Sequence, residues 1–185
     1  MEKELFGDIA FISAWEIQFH PFTINLFISL VIVLFLLFTS AMISGSEVAY
    51  FSLSPADKQK LKKKNRTNMQ VLRNLENPES LLATILVANN FVNIAIVILT
   101  ANITNNLITI TNSSALEFIL QVVVITFFLL LFGEILPKVY ASHFPLQFAR
   151  FMAFPLDLLE KLCRPVNYIL INSTSLVNKR FQRHR

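Results

Sequence analysis

A single cysteine, Cys163, rules out a disulfide framework and any four-cysteine metal site. Charge is scarce too: 15% of the 185 residues are Asp, Glu, Lys or Arg, against about a quarter in a soluble domain. Hydrophobic residues make up 54%, eighteen of them phenylalanine, and the mean hydropathy is +0.56. A water-soluble globule of this size would have to expose most of that apolar surface, so this class is excluded. Glycine is rare, with three residues, and no internal repeat or low-complexity stretch appears. What remains is a membrane protein.

The run Ile24 to Ile43 is twenty residues without a charge. At about 1.5 Å per residue it reaches roughly 30 Å, the hydrocarbon thickness of a bilayer. It lacks the basic leader of a signal peptide, because Glu2, Glu4, Asp8 and Glu16 precede it against Lys3 alone. A second span runs from Leu81 to about Ala101, announced by Asn77-Pro78-Glu79 as cap, first helical position and first-turn acid. A third runs from Leu116 to Phe132 and continues through Gly133-Glu134-Ile135-Leu136-Pro137-Lys138. Beyond it Pro145, Arg150, Pro155, Asp157 and Pro165 interrupt every apolar stretch. One-sided spacing at Val166, Ile169, Leu170, Leu176 and Val177 predicts helices lying in the membrane interface. The expected fold is an all-α membrane protein: three transmembrane helices, short inner helices and a juxtamembrane helical belt. Residues 1–23 form an extracytoplasmic segment, 24–178 the transmembrane domain and 179–185 a basic tail.

Lys and Arg near the span ends set the orientation. Lys58, Lys60, Lys62, Lys63, Lys64, Arg66 and Arg73 lie between spans one and two, and eight more follow from Lys138 onward. Between spans two and three there are none. The expected arrangement is a multi-pass protein of the inner (plasma) membrane, amino terminus outside and carboxy terminus cytoplasmic. Within the inner loop, Ser54-Pro55-Ala56-Asp57 is a helix-start signature. A short basic helix to about Asn65 follows it, then another near Asn68 to Leu75. The basic cluster suits attraction to membrane lipids and, with no interleaved aromatic residues, argues against nucleic acid.

Polar residues inside the spans carry the chemistry, because each is costly at membrane depth and faces a partner or a wet cavity. Ser40 and Ser44 stack on one helix face by their i, i+4 spacing. Asn89, Asn90 and Asn93 occupy the middle third of span two. Pro137 has no N–H, so the Gly133 carbonyl loses its helical donor, and Glu134 places a carboxylate beside it. Such hard oxygens suit Mg²⁺, Ca²⁺ or Na⁺. Ser40, Ser44, Asn90, the Gly133 carbonyl and Glu134 offer five of the six that magnesium takes. Each could instead be helix-packing glue, and Glu134 could pair with Lys138 or Glu47 with the basic loop. No nucleophile–base pair stands out, so an enzyme is not expected.

Ser44-Gly45-Ser46-Glu47-Val48-Ala49, Ala88-Asn89-Asn90-Phe91-Val92-Asn93 and Phe132-Gly133-Glu134-Ile135-Leu136-Pro137-Lys138 resemble the three signature stretches of the cyclin M/CorC magnesium transporter family. The resemblance covers roughly residues 24–178, and the Phe- and Asn-rich composition suits the branch linked to gliding motility. It implies a homodimer, a dehydrated Mg²⁺ in an inward-facing cavity, and Na⁺ as a candidate coupling ion. Carried over by position, the metal ligands are Ser40, Ser44, Asn90, the Gly133 carbonyl and Glu134, with Asn89 or Asn93 as replacements for Asn90. The implied function is Mg²⁺ transport by alternating access. The alternative is a non-transporting scaffold or cation sensor that recruits partners. Family members usually continue into cytoplasmic nucleotide-binding domains, to which the basic tail is expected to lead.

Overall fold

The computed structural model describes residues 17–19, 21, 23–63, 65–110 and 114–182, and side-chain surroundings for 21, 23–63, 65–107, 118–119 and 121–164. Most of the amino-terminal segment, Lys64 and the last three residues therefore lie outside the described residues, as does the one-sided pattern beyond 164. A short strand β1 (Ile17–Phe19) precedes helices α1 (Ile24–Phe51), α2 (Pro55–Leu61), α3 (Arg66–Glu76) and α4 (Pro78–Leu107). Strand β2 (Ile108–Ile110), α5 (Ser114–Phe128), a π-helical segment (Leu129–Ile135), α6 (Leu136–His143) and α7 (Pro145–Gln182) complete the chain. The strands pair antiparallel, Ile17 opposite Ile110, into a small ribbon that the helix-only reading did not contain. Otherwise the fold is all-α.

Three helices are long and apolar enough to cross a membrane: Ile24–Phe51, Pro78–Leu107 and Gln121–His143, the last running through α5, the π segment and α6. Only 22%, 28% and 22% of their most apolar windows is buried within the chain. Their remaining side chains point outward, as Phe35, Phe91, Ile98 and Phe127 do. Such a surface is stable only against hydrocarbon or another apolar surface.

The chain's own core sits at one end of the spans, the end that carries the basic loop. There Ile43, Ala49 and Tyr50 of α1, Val71 of α3 and Leu81 and Ile85 of α4 pack with Phe148, Ala149, Met152, Ala153 and Leu156 of α7. Gly45 makes the α1–α7 approach possible, because a Cβ there would lie 2.5 Å from Phe148 Cζ.

Local caps explain the short helices. The Ser54 hydroxyl accepts the Asp57 N–H at 3.1 Å and the Asp57 carboxylate accepts the Ser54 N–H at 3.4 Å, closing a capping box at the helix start that the sequence predicts. Asn65 caps α3 through the Thr67 N–H, and the Asn77 side chain accepts the Ser80 N–H at the start of α4.

The belt is one 38-residue helix, not the broken set of helices that its prolines predict. Pro155 removes one hydrogen bond, but the flanking Met152, Ala153 and Leu156 are buried against the core, and packing outweighs the loss. Polar bonds tie this belt to α3. Arg73 and Lys161 both bind the Asp157 carboxylate. Asn74 Nδ2 donates to the Tyr50 hydroxyl at 3.1 Å and the Ala153 carbonyl at 3.2 Å. Arg150 Nε donates to Asn68 Oδ1 at 3.0 Å, and the Asn68 amide donates to the Lys63 carbonyl at 3.0 Å.

Burial by itself would raise the Asp157 carboxyl, but the hydrogen bonds and charges of Lys161 and Arg73 outweigh it and hold it below the usual carboxylate range. A carboxylate depressed in the folded state adds stability above its unfolded value, about pH 4, and loses that stability as pH falls through the folded one. Thermal unfolding in detergent is therefore expected to shift down on acidification below about pH 4. Asp157→Asn should be less stable at neutral pH and show a smaller acid shift. Gly45→Ala should cost about 1–3 kcal/mol, the usual range for overpacking, read as a lowered unfolding midpoint.

Candidate cation site

The polar residues of the spans meet where α1, α4 and the π segment touch. Ser40 is fully buried on α1, and its hydroxyl lies 2.7 Å from Asn93 Oδ1 and 3.1 Å from Asn89 Oδ1. One hydroxyl proton serves one acceptor at a time, so three oxygens converge on a single shared proton. The Asn93 amide is oriented by its other end, whose Nδ2 donates to Glu134 Oε1 at 3.4 Å. Asn93 thus turns its oxygen to Ser40 and its nitrogen to the carboxylate.

Gly133 lets the third span come this close. A Cβ on it would lie 3.3 Å from Ser40 Oγ and 3.6 Å from Leu37 Cδ1. Gly133 and Glu134 both fall in the π segment, where the Leu136 N–H reaches back to the Leu131 carbonyl. π-Helical turns are uncommon and often mark functional sites, because the extra residue per turn re-aims side chains. Pro137 follows directly and withholds the donor that an α-helix would give to the Gly133 carbonyl. The backbone oxygen and the Glu134 carboxylate therefore belong to the same irregular turn.

Ser44 lies one turn below Ser40, 1% exposed, and its hydroxyl has no hydrogen-bond partner among the described residues. An orphaned buried hydroxyl costs about 1–3 kcal/mol, so its position next to the oxygen cluster calls for a partner. Asn90 is exposed and turns away from Ser40. The structure thus gathers Ser40, Gly133 and Glu134 with Asn89 and Asn93, keeps Ser44 on the same face, and leaves Asn90 apart.

Lys138 does not neutralise Glu134, although it stands one turn on. It reaches α1 instead and pairs with Glu47 Oε2 at 3.0 Å, so Glu47 binds the third span and not the basic loop. Both side chains are more than a third exposed, and such a pair contributes on the order of 1 kcal/mol or less. Among the described residues no three His, Cys, Asp or Glu side chains cluster. The cluster's donors are one carboxylate and several neutral oxygens, a set suited to hard cations.

By i, i+3 spacing Asn90 and Asn93 share a helix face, yet Asn89 and Asn93 at i, i+4 share one equally well. The rotation of α4 decides, and it follows Leu81, Thr84, Ile85, Ala88 and Ile96, which are buried. In a helix apolar all round, that stripe carries no sequence mark. The π turn was missed for a similar reason, since Gly133 and Pro137 announce a break but not its register.

The family described as Cyclin M transmembrane N-terminal domain matches residues 31–185. The UPF0053 inner membrane protein YfjD of Escherichia coli (strain K12) is 30% identical over 132 residues. That alignment covers 71% of this chain, and the chain spans 30% of the length of that relative.

Gly133→Ala is expected to push the Ser40 hydroxyl away and lower stability by about 1 kcal/mol or more. Thermal unfolding checks this.

Proposed function

Because the chain belongs to the cyclin M transmembrane family, we propose that it carries a divalent cation, Mg²⁺, across the membrane through the oxygen cluster at Ser40. The observation that carries this reading is a polar chain across three spans: the buried Ser40 hydroxyl of the first meets two amide oxygens of the second, and Asn93 links them to Glu134 of the third. Ligands on adjacent corners of a magnesium octahedron, about 2.0–2.1 Å from the ion, lie about 2.9 Å apart. The Ser40 contacts of 2.7 and 3.1 Å bracket that spacing, so an ion could replace the shared proton with small movements. In this reading Ser40, Ser44, the Gly133 carbonyl and Glu134 hold the ion with an amide oxygen of Asn93 or Asn89, and Asn90 is not a ligand.

A single carboxylate binds weakly enough for release, which transport requires. The broken turn at Gly133 and the free rotation of the serine hydroxyls give the site donors that can close on a dehydrated ion and open again. The positive-inside rule places the basic end in the cytoplasm. The outward-facing apolar side chains of the spans suit lipid and a second copy of the chain. Sodium is the proposed counter-ion, because the same hard oxygens accept it.

The test is Mg²⁺ uptake into proteoliposomes together with thermal unfolding with and without Mg²⁺. At a hundredfold excess over Kd, binding should add about 2.7 kcal/mol of stability. Glu134→Ala should lose both flux and that increment, Asn93→Ala should weaken binding at least tenfold, and Asn90→Ala should leave it within about twofold. Loss in Asn90→Ala with no effect in Asn93→Ala would reassign the amide ligand. Ion-dependent stability without flux in the parent protein would favour a scaffold or cation sensor.

A further inference from the structure

We propose that the cleft between α3 and α7 is a binding site for an anionic phospholipid at the basic end of the spans. The cleft encloses about 710 Å³, and its lining includes Arg66, Met69, Arg73, Phe154, Asp157 and Lys161. Three cations thus stand against Asp157 and the neighbouring Glu76, and Asp157 is already held by Arg73 and Lys161. Arg66 has no ion pair with any described residue, which leaves one guanidinium for an incoming phosphate. A guanidinium's fork of N–H donors matches phosphate oxygens in pairs.

The second observation lies on α7 itself. Phe151, Phe154, Leu158 and Leu162 are 66%, 62%, 59% and 74% exposed. At 100° per residue they fall within about 80° of arc. Ala149, Met152, Ala153 and Leu156, which pack on the core, lie on the opposite side. The belt is therefore apolar on two faces, one covered by the chain and one not.

Phe154 belongs to both features: it ends the uncovered stripe and lines the cationic cleft. Exposed Met69 continues the apolar rim on α3. A ligand that fits both parts has an anionic head and an apolar tail. In a chain that spans a membrane, a phospholipid with its phosphate in the cleft and an acyl chain along Phe154, Leu158 and Leu162 has that form. A soluble phosphate would leave the stripe bare, and an apolar protein surface would leave Arg66 unpaired.

Nanodiscs of phosphatidylcholine with a small fraction of phosphatidylglycerol, followed by mass spectrometry of lipids retained on the intact protein, test this. The parent should retain phosphatidylglycerol well above its bulk fraction. Arg66→Gln should cut that enrichment about fivefold, the effect of one basic residue at an anionic surface. Lys62→Gln, on the same loop but outside the cleft, should leave it within twofold. Phe154→Ser should weaken retention while leaving thermal stability near that of the parent, because the ring is exposed. No enrichment in the parent, or equal losses in Arg66→Gln and Lys62→Gln, would overturn the site in favour of diffuse attraction. Competition by free glycerol phosphate as strong as that by phosphatidylglycerol vesicles would overturn the lipid assignment. A change of oligomeric state in Leu158→Glu with lipid enrichment intact would assign the stripe to a second copy instead.

Discussion

Oxygen atoms buried at membrane depth must find a proton or a cation, and this requirement organises the middle of the molecule. Ser40 offers one hydroxyl proton to the amide oxygens of both Asn89 and Asn93, and Asn93 in turn gives its N–H to Glu134. Each group is held by the next, so the three spans are joined by polar bonds in a region where apolar packing between helices provides little drive. Glycine at position 133 admits the contact, and proline at 137 cannot give the Gly133 carbonyl the α-helical donor. Two amide oxygens share the single Ser40 proton. In the proposed function, that imbalance is what a hard cation would relieve.

A second, chemically different system lies at the basic end. There polar bonds run through a largely apolar core: buried Tyr50 and Asn74 join α1, α3 and α7, while Asp157 at its edge collects Arg73 and Lys161. Tyr50 lies on the same helix as Ser44, less than two turns further on. The belt is thus fastened to the helix that carries both serines. Gly45 lets α7 pack against α1 here, since a Cβ would clash with Phe148.

Lys138 links the two systems. It pairs with Glu47 on α1 and not with Glu134, which stands one turn before it on its own span. The Lys138–Glu47 pair is half-exposed and weak.

Hydropathy, charge placement and cap residues were enough to determine three spans, the short helices after the first and their starting points at Ser54 and Asn77. Those features depend on local composition, which the chain carries with it. Ser40, Gly133 and Glu134 were legible too, because polar residues and backbone breaks stand out against an apolar background. The contacts of Ser40 with Asn89 and Asn93, the π register at Gly133, the Lys138–Glu47 pair and the unbroken belt were decided by tertiary structure. Each depends on how a helix is rotated or what packs across it. A span that is apolar all round does not write that rotation into its sequence.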